Sequence, residues 1–186
     1  FPNTPNVNFW SGSSSNIGKW YVSFSDGSAI NGTLNDGAAV RLVRGNEQSN
    51  LLSLERPKTD YVENDDTVTH KPTNLTWKRC AEGQTWKDGT CNGTATPYTY
   101  GDANGLTKDG WRLPTEDELV SLVDYSIKYP PPMVNADVFP ATPWDSPFWS
   151  SSPYANSTDK AWRLSFNTTG SNADGGSRSA SFAVRL

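Results

Sequence analysis

The chain has 186 residues and a mass of 20.4 kDa, room for one domain or two small ones with a core that needs no metal to hold it. Hydrophobic residues make up 34% and mean hydropathy is −0.65, yet 12% of residues are aromatic, 8 of them Trp, which excludes the composition of a disordered tail. Sixteen Lys and Arg against 20 Asp and Glu leave a net charge of −4 and a pI near 4.9, which argues against nucleic acid or any partner held through phosphates or sulfates. No stretch approaches the roughly 18 apolar residues of a membrane span, and no apolar segment follows a basic start, so the sequence reads as a mature, soluble chain with no membrane insertion of its own.

The chain opens with Phe1-Pro2-Asn3-Thr4-Pro5, then Phe9-Trp10-Ser11, Trp20-Tyr21-Val22-Ser23-Phe24 and Val40-Arg41-Leu42. The same elements return in the same order as Phe139-Pro140-Ala141-Thr142-Pro143, Phe148-Trp149-Ser150, Trp162-Arg163-Leu164-Ser165-Phe166 and Val184-Arg185-Leu186. The offset is 138 residues from Phe1 to Phe139 and 144 from Val40 to Val184. A spacing that long means two copies of a domain; solenoid repeats recur every 20 to 50 residues or so. Only the second copy has a front part, from about residue 60 to 138. The expected organisation is therefore residues 1–45 as the C-terminal part of a first repeat unit, 46–59 as linker and 60–186 as one complete domain. Phe1, standing where the second copy has Phe139, suggests a mature or cleaved edge.

Trp20–Phe24 alternates large apolar and polar residues as a half-buried strand does, and Ala38–Val43 is its expected returning partner in a long-tipped hairpin; Trp162–Phe166 and Ser181–Leu186 repeat that pair. Leu51–Leu54 reads as a short strand or buried linker and Glu55–Thr59 as loop. His70 is the only histidine, so a multi-histidine metal site is excluded and a Ser/His relay has one possible base; it reads as an ordinary loop or strand residue. Cys80 and Cys91, both in a Gly- and Thr-rich segment, suit a local disulfide, with two free thiols as the other reading. Thr115-Glu116-Asp117-Glu118 is a capping box that opens a helix to about Lys128, with Leu119, Leu122, Val123 and Ile127 as its core-facing stripe and Pro130-Pro131-Pro132 ending it.

Ahead of that helix, Trp111 is expected to plug the core beneath it, Arg112 to bond main-chain carbonyls or a carboxylate, and Pro114 to set the helix entry. Trp86, Tyr98, Trp144, Trp149 and Tyr154 lie in turn-rich sequence, where aromatic rings either stack on sugars or a partner protein, or pin long loops to the core. Asn31, Asn74, Asn92, Asn156 and Asn167 begin Asn-x-Ser/Thr sequons, which so Asn-, Ser- and Thr-rich a chain produces by composition. No dense Asp/Glu/Asn calcium motif and no cofactor motif is present in the sequence.

Several of these segments together resemble a known family. They are Asp66-Thr67, Leu75-Thr76-Trp77, Gly110-Trp111-Arg112-Leu113-Pro114-Thr115 followed by Glu118-Leu119, Phe139-Pro140, Trp149-Ser150-Ser151, the Trp162–Phe166 strand and Val184-Arg185. The pattern is similar to that of the bacterial surface family named for the C-terminal domain of a Legionella collagen-like adhesin (Lcl), over about residues 60 to 186 in full and 1 to 45 in part. The segment from Arg79-Cys80 to Cys91-Asn92-Gly93 also resembles an insertion in many members, which supports pairing of the two cysteines. The resemblance implies an α+β fold of C-type-lectin or sulfatase-activator type, built on a twisted antiparallel sheet, in a secreted or surface-anchored protein. The named adhesin is a trimer that binds sulfated glycosaminoglycans, but in this acidic chain Arg41, Arg44, Arg163, Arg178 and Arg185 are spread over both copies and form no sulfate-binding cluster. The sulfatase-activating relatives use reactive cysteines in their active site; here both cysteines sit in the inserted loop, so no catalytic residue is assigned and the chain is read as no enzyme.

A back part without its front leaves apolar strand faces and unpaired edges, an invitation to another chain. Three outcomes are open: a piece of a longer tandem-domain protein, a first copy packed on the second, or a first copy completed by a neighbouring copy of the same chain. The expected function is a structural subunit of an extracellular filament or adhesin; the alternative is a lectin-like module that binds host or surface glycans through its loop aromatics, and an enzyme remnant ranks third.

Overall fold

A computed structural model describes residues 5, 7–14, 19–23, 29–32, 37–40, 55–127, 130–155, 157–167 and 173–186. The chain divides into two compact units, Phe1–Glu47 and Gln48–Leu186. Among the described residues no helix is long and apolar enough to cross a membrane. Phe24, Arg41, the strand or linker expected at Leu51–Leu54, and Asn156 lie outside the described residues.

The first unit is a three-stranded antiparallel sheet of β1 (Asn8–Ser14), β2 (Lys19–Ser23) and β3 (Ala29–Gly32), with β2 in the middle. Phe9 lies opposite Val22 and Trp10 opposite Tyr21, and the ladder then slips: four residues of β1, from Trp10 to Ser14, span two of β2, from Tyr21 to Lys19. Ala39 joins the far side of β1 as a parallel bridge to Phe9, through Trp10 N–H to Ala39 O at 2.9 Å and Ala39 N–H to Asn8 O at 2.8 Å.

The second unit starts with a turn of 3-10 helix (Lys58–Asp60) and an antiparallel meander of β4 (Tyr61–Asn64), β5 (Thr67–His70) and β6 (Leu75–Lys78). Residues just before it are tied to this unit, for Arg56 donates its main-chain N–H to Asp124 and its Nε–H to Ser121 O. A small hairpin of β7 (Thr85–Lys87) and β8 (Thr90–Asn92) follows, and Cys80 and Cys91 form a disulfide. Next come β9 (Tyr98–Thr99), the short helices α1 (Tyr100–Asn104) and α2 (Glu116–Val120), and then β10 (Phe148–Pro153), β11 (Lys160–Leu164), β12 (Ala173–Ser177) and β13 (Ser181–Phe182). The architecture is mixed α and β, dominated by small antiparallel sheets.

Strands β10, β11 and β12 repeat the first unit's sheet in order and in register. Phe148 pairs with Leu164 and Trp149 with Arg163, the same slip of four residues against two separates Trp149 from Pro153, and Ala183 bridges Phe148 in parallel. The expected hairpin between the aromatic strand and the chain end is corrected in both units. The middle strand pairs with β3 or β12, sequences that read as turn, and the final segment crosses to the other side of the Phe-Trp-Ser strand. In β12 the glycines explain this: a Cβ on Gly175 would come within 2.6 Å of the Tyr154 ring, and one on Gly176 within 2.7 Å of Phe182. Bare backbone is what lets the strand lie beneath aromatic rings.

The expected helix from Thr115 to about Lys128 is also corrected, to the five residues of α2. Its start forms as the sequence predicts, with Thr115 and Glu118 exchanging capping hydrogen bonds. Beyond Val120 the amides of Leu122 and Val123 bond back three residues, Asp124 N–H turns to Met133 O, and the Asp124 carboxylate takes the N–H groups of Ser126 and Arg56. These bonds stop the helix and fold Leu119, Leu122 and Val123 into the core regardless.

Period-two alternation puts a core on each face of the β10–β11 sheet. Phe148, Leu164, Phe166 and Ala183 pack with Val68, Trp77 and the α2 stripe on one side. Trp149, Ala161 and Val184 pack with Ala103, Leu113 and Leu186 on the other. Arg185, 1% exposed, passes between front and back parts: its guanidinium donates to the carbonyls of Lys78 (3.0 Å) and Arg79 and to Thr142 Oγ1 (2.9 Å), and lies over the rings of Phe139 and Phe148. Burial pulls its pKa down to about 9, so it is still charged at neutral pH. Arg79, also buried, donates to Val138 O, Asp137 O and the Glu63 carboxylate.

Arg185→Ala strands the carbonyls of Lys78 and Arg79 and empties a fully buried site, and is expected to destabilise the second unit by about 3–5 kcal/mol in urea unfolding. His70, on β5, is buried with Nδ1 2.8 Å from Thr73 Oγ1; burial, and then the Arg56 charge, hold its pKa below the usual 6.5, against a smaller opposing pull from Asp60. The unfolded chain therefore binds this proton more readily. The expected result is full stability above pH 6.5 and a decline as pH falls from 6.5 to the folded-state value, a slope that His70→Gln removes from melting curves.

Candidate functional site

A groove of about 400 Å³ runs along the outer side of β6, walled by Thr76 and Leu186 on one flank and by Asp109, Trp111, Arg112 and Glu118 on the other. Two successive residues with left-handed backbone, Asp109 (φ 55°) and Gly110 (φ 84°), turn the chain sharply before Trp111, whose N–H returns to Lys108 O. The chain then runs inward. Leu113 and Pro114 go to the interior, and Pro114 O accepts the Ser151 N–H at 2.7 Å, which fastens the segment to β10. Trp111 is left half-buried and Arg112 exposed on the groove wall.

The expectation that Trp111 plugs the core is thus corrected. Its ring packs only partly against the second core cluster and carries the Lys78 ammonium 5.4 Å from its centre. Arg112 grips Glu118 through two hydrogen bonds of 2.6 and 2.7 Å and donates to Leu113 O, as the sequence anticipates for this residue. That pairing lowers the Glu118 pKa and raises that of Arg112. Glu116 moves the other way, pushed up by burial and by neighbouring Asp117. Lys78 is engaged by Glu82 at 2.7 Å. Arg112 and Glu118 are paired with each other, and beside them the groove offers a half-exposed indole, fixed hydrogen-bonding groups and a strand edge, which is equipment for binding.

The five aromatics expected as ligand contacts are placed differently from one another. Trp149 is fully buried and donates its indole N–H to Tyr98 O at 2.8 Å, so it has no surface to offer a sugar, and Tyr98 is half-buried on β9. Tyr154 packs on Trp162, ring centres 4.8 Å apart, and Trp86 covers the Arg79 guanidinium at 4.2 Å while donating to Asp65. Trp144 is 50% exposed. Sequence reasoning missed the groove because it assigned Trp111 and Arg112 to scaffold; the Asp109-Gly110 turn immediately before them was the available signal. Among the described residues no group of three or more His, Cys, Asp or Glu is placed to hold a metal ion.

Residues 66–186 match the family model described as the Lcl C-terminal domain. No curated protein and no solved structure matches the chain.

The helix entry can be separated from the ion pair by substitution. Thr115→Ala removes the cap and is expected to cost about 0.5–2 kcal/mol, whereas Glu118→Gln keeps a capping side chain, weakens the grip on Arg112 and costs under about 1 kcal/mol, both read by denaturant titration.

Proposed function

Because the chain belongs to the Lcl C-terminal domain family of bacterial surface, adhesin-type domains, we propose that it is a non-enzymatic structural subunit of an extracellular filament or adhesin, joined to neighbouring copies through its first unit. The C-type-lectin-like form of the α+β fold belongs to the same reading. The observation that carries it is the contrast between equivalent positions of the two units. Leu164 and Val184 are fully buried, while Val22 and Val40, which match them in register or in the sequence repeat, are 37% and 65% exposed. Val7, beside β1, is 44% exposed as well. Val22 and Val40 answer to residues of opposite core faces, so the first sheet leaves open, on both sides, apolar side chains that its counterpart buries.

Glycan binding is the second reading, favoured by one observation: Trp144 presents half its surface to solvent in the loop before β10. It predicts reproducible signals on a glycan array that Trp144→Ala abolishes with the fold intact.

The assembly reading is tested by light scattering and electron microscopy of the full chain across a range of concentration and salt. Multimers that grow with concentration are expected, and because every copy carries a net charge of −4, added salt strengthens the association by screening repulsion. A compact monomer at the highest concentration reached, at any salt, overturns the reading.

A further inference from the structure

The β7–β8 hairpin is a local excursion of the chain that is closed at its base. Thr96 N–H bonds Glu82 O at 2.8 Å, Glu82 N–H bonds Val184 O at 2.9 Å, and a Cβ on Gly83 would collide with Thr96. The two ends of the excursion are therefore pinned to each other and to the sheet region, whatever the hairpin itself does. Residues 83–94 belong to neither core cluster. Two strands of three residues each make a hairpin that is marginal in water when it stands alone, so this one has to be held from outside.

A covalent bond and two side chains hold it. Cys91, in β8, is bonded to Cys80, two residues ahead of Glu82. Trp86, opposite Cys91 in the ladder, lies over the Arg79 guanidinium at 4.2 Å and donates to Asp65 at 3.0 Å. Gln84 takes the Ala81 N–H and donates to Ala141 O at 3.1 Å. The bonds to Asp65 and Ala141 are made at the surface, where water offers each group an equivalent partner, so their net contribution is small. The disulfide is the tie that water has no means of replacing. Under the hairpin lies Arg79, 5% exposed, whose guanidinium donates to Val138 O, Asp137 O and the Glu63 carboxylate. All three acceptors lie outside the hairpin, so Arg79 keeps its place when the hairpin leaves.

We propose that the Cys80–Cys91 disulfide is a redox-sensitive catch: reduction by a dithiol releases the β7–β8 hairpin, uncovers the face of Arg79 that Trp86 covers, and leaves the rest of the second unit folded. A thiolate of the reductant attacks one sulfur and displaces the other, and its second thiol then closes on the mixed disulfide. Two electrons and two protons pass to the protein, which leaves Cys80 and Cys91 as thiols and the reductant as a cyclic disulfide. Both cysteines are nearly covered, at 9% and 6% exposure, so the attack takes place when the hairpin fluctuates and needs no opening of the core. Oxidising surroundings close the catch and a reducing compartment holds it open. The device is independent of the assembly reading, since it concerns one chain.

The test is hydrogen exchange read by mass spectrometry on the full chain, with and without dithiothreitol, and on the Cys80→Ser, Cys91→Ser double variant without reductant. Amides of β7 and β8 are expected to exchange at least about tenfold faster after reduction and equally fast in the double variant, while peptides covering Val68 and Leu164 are unchanged. Faster exchange throughout the second unit makes the bond a brace for the whole fold and overturns the catch. Unchanged exchange of the hairpin in the double variant also overturns it, because Trp86 and Gln84 then suffice. A disulfide that survives dithiothreitol without denaturant overturns its sensitivity to reduction.

Discussion

The complete unit is closed by a single guanidinium. Arg185 arrives at the end of the sequence and finds the carbonyls of Lys78 and Arg79 more than a hundred residues earlier, with Thr142 Oγ1 and the faces of Phe139 and Phe148 completing its surroundings. A buried charge is tolerated only when its hydrogen bonds are supplied, so the front meander and the back sheet must meet in one register for Arg185 to be buried at all. The strand pairings on either side follow from that register: Lys78 N–H reaches Leu186 O and Glu82 N–H reaches Val184 O.

The first unit keeps, in sequence, the back-part half of this arrangement. Phe1, Thr4, Phe9 and Arg41 stand where the second unit has Phe139, Thr142, Phe148 and Arg185. Its sheet keeps the pairing, the four-against-two slip and the parallel bridge. What it lacks within its own residues is a counterpart of the front meander, the source of both main-chain carbonyls and of most of the apolar cover.

Much of this was legible before any coordinates. The repeat was visible because the same aromatic dipeptide, Phe-Trp followed by Ser, serves two opposite core faces and so resists change at both positions. The cap at Thr115 was visible because it is a local exchange of hydrogen bonds. The length of α2 was not, since Asp124 and Met133 end it through contacts with no local pattern. Strand β12 was hidden because Ala-Asp-Gly-Gly-Ser looks like a turn, and only Tyr154 and Phe182 lying over it reveal why glycine is required. At the groove, composition misled. A tryptophan beside a core leucine reads as core, yet Trp111 and Arg112 stay at the surface directly after the left-handed turn at Asp109 and Gly110, and only Leu113 and Pro114 reach the interior.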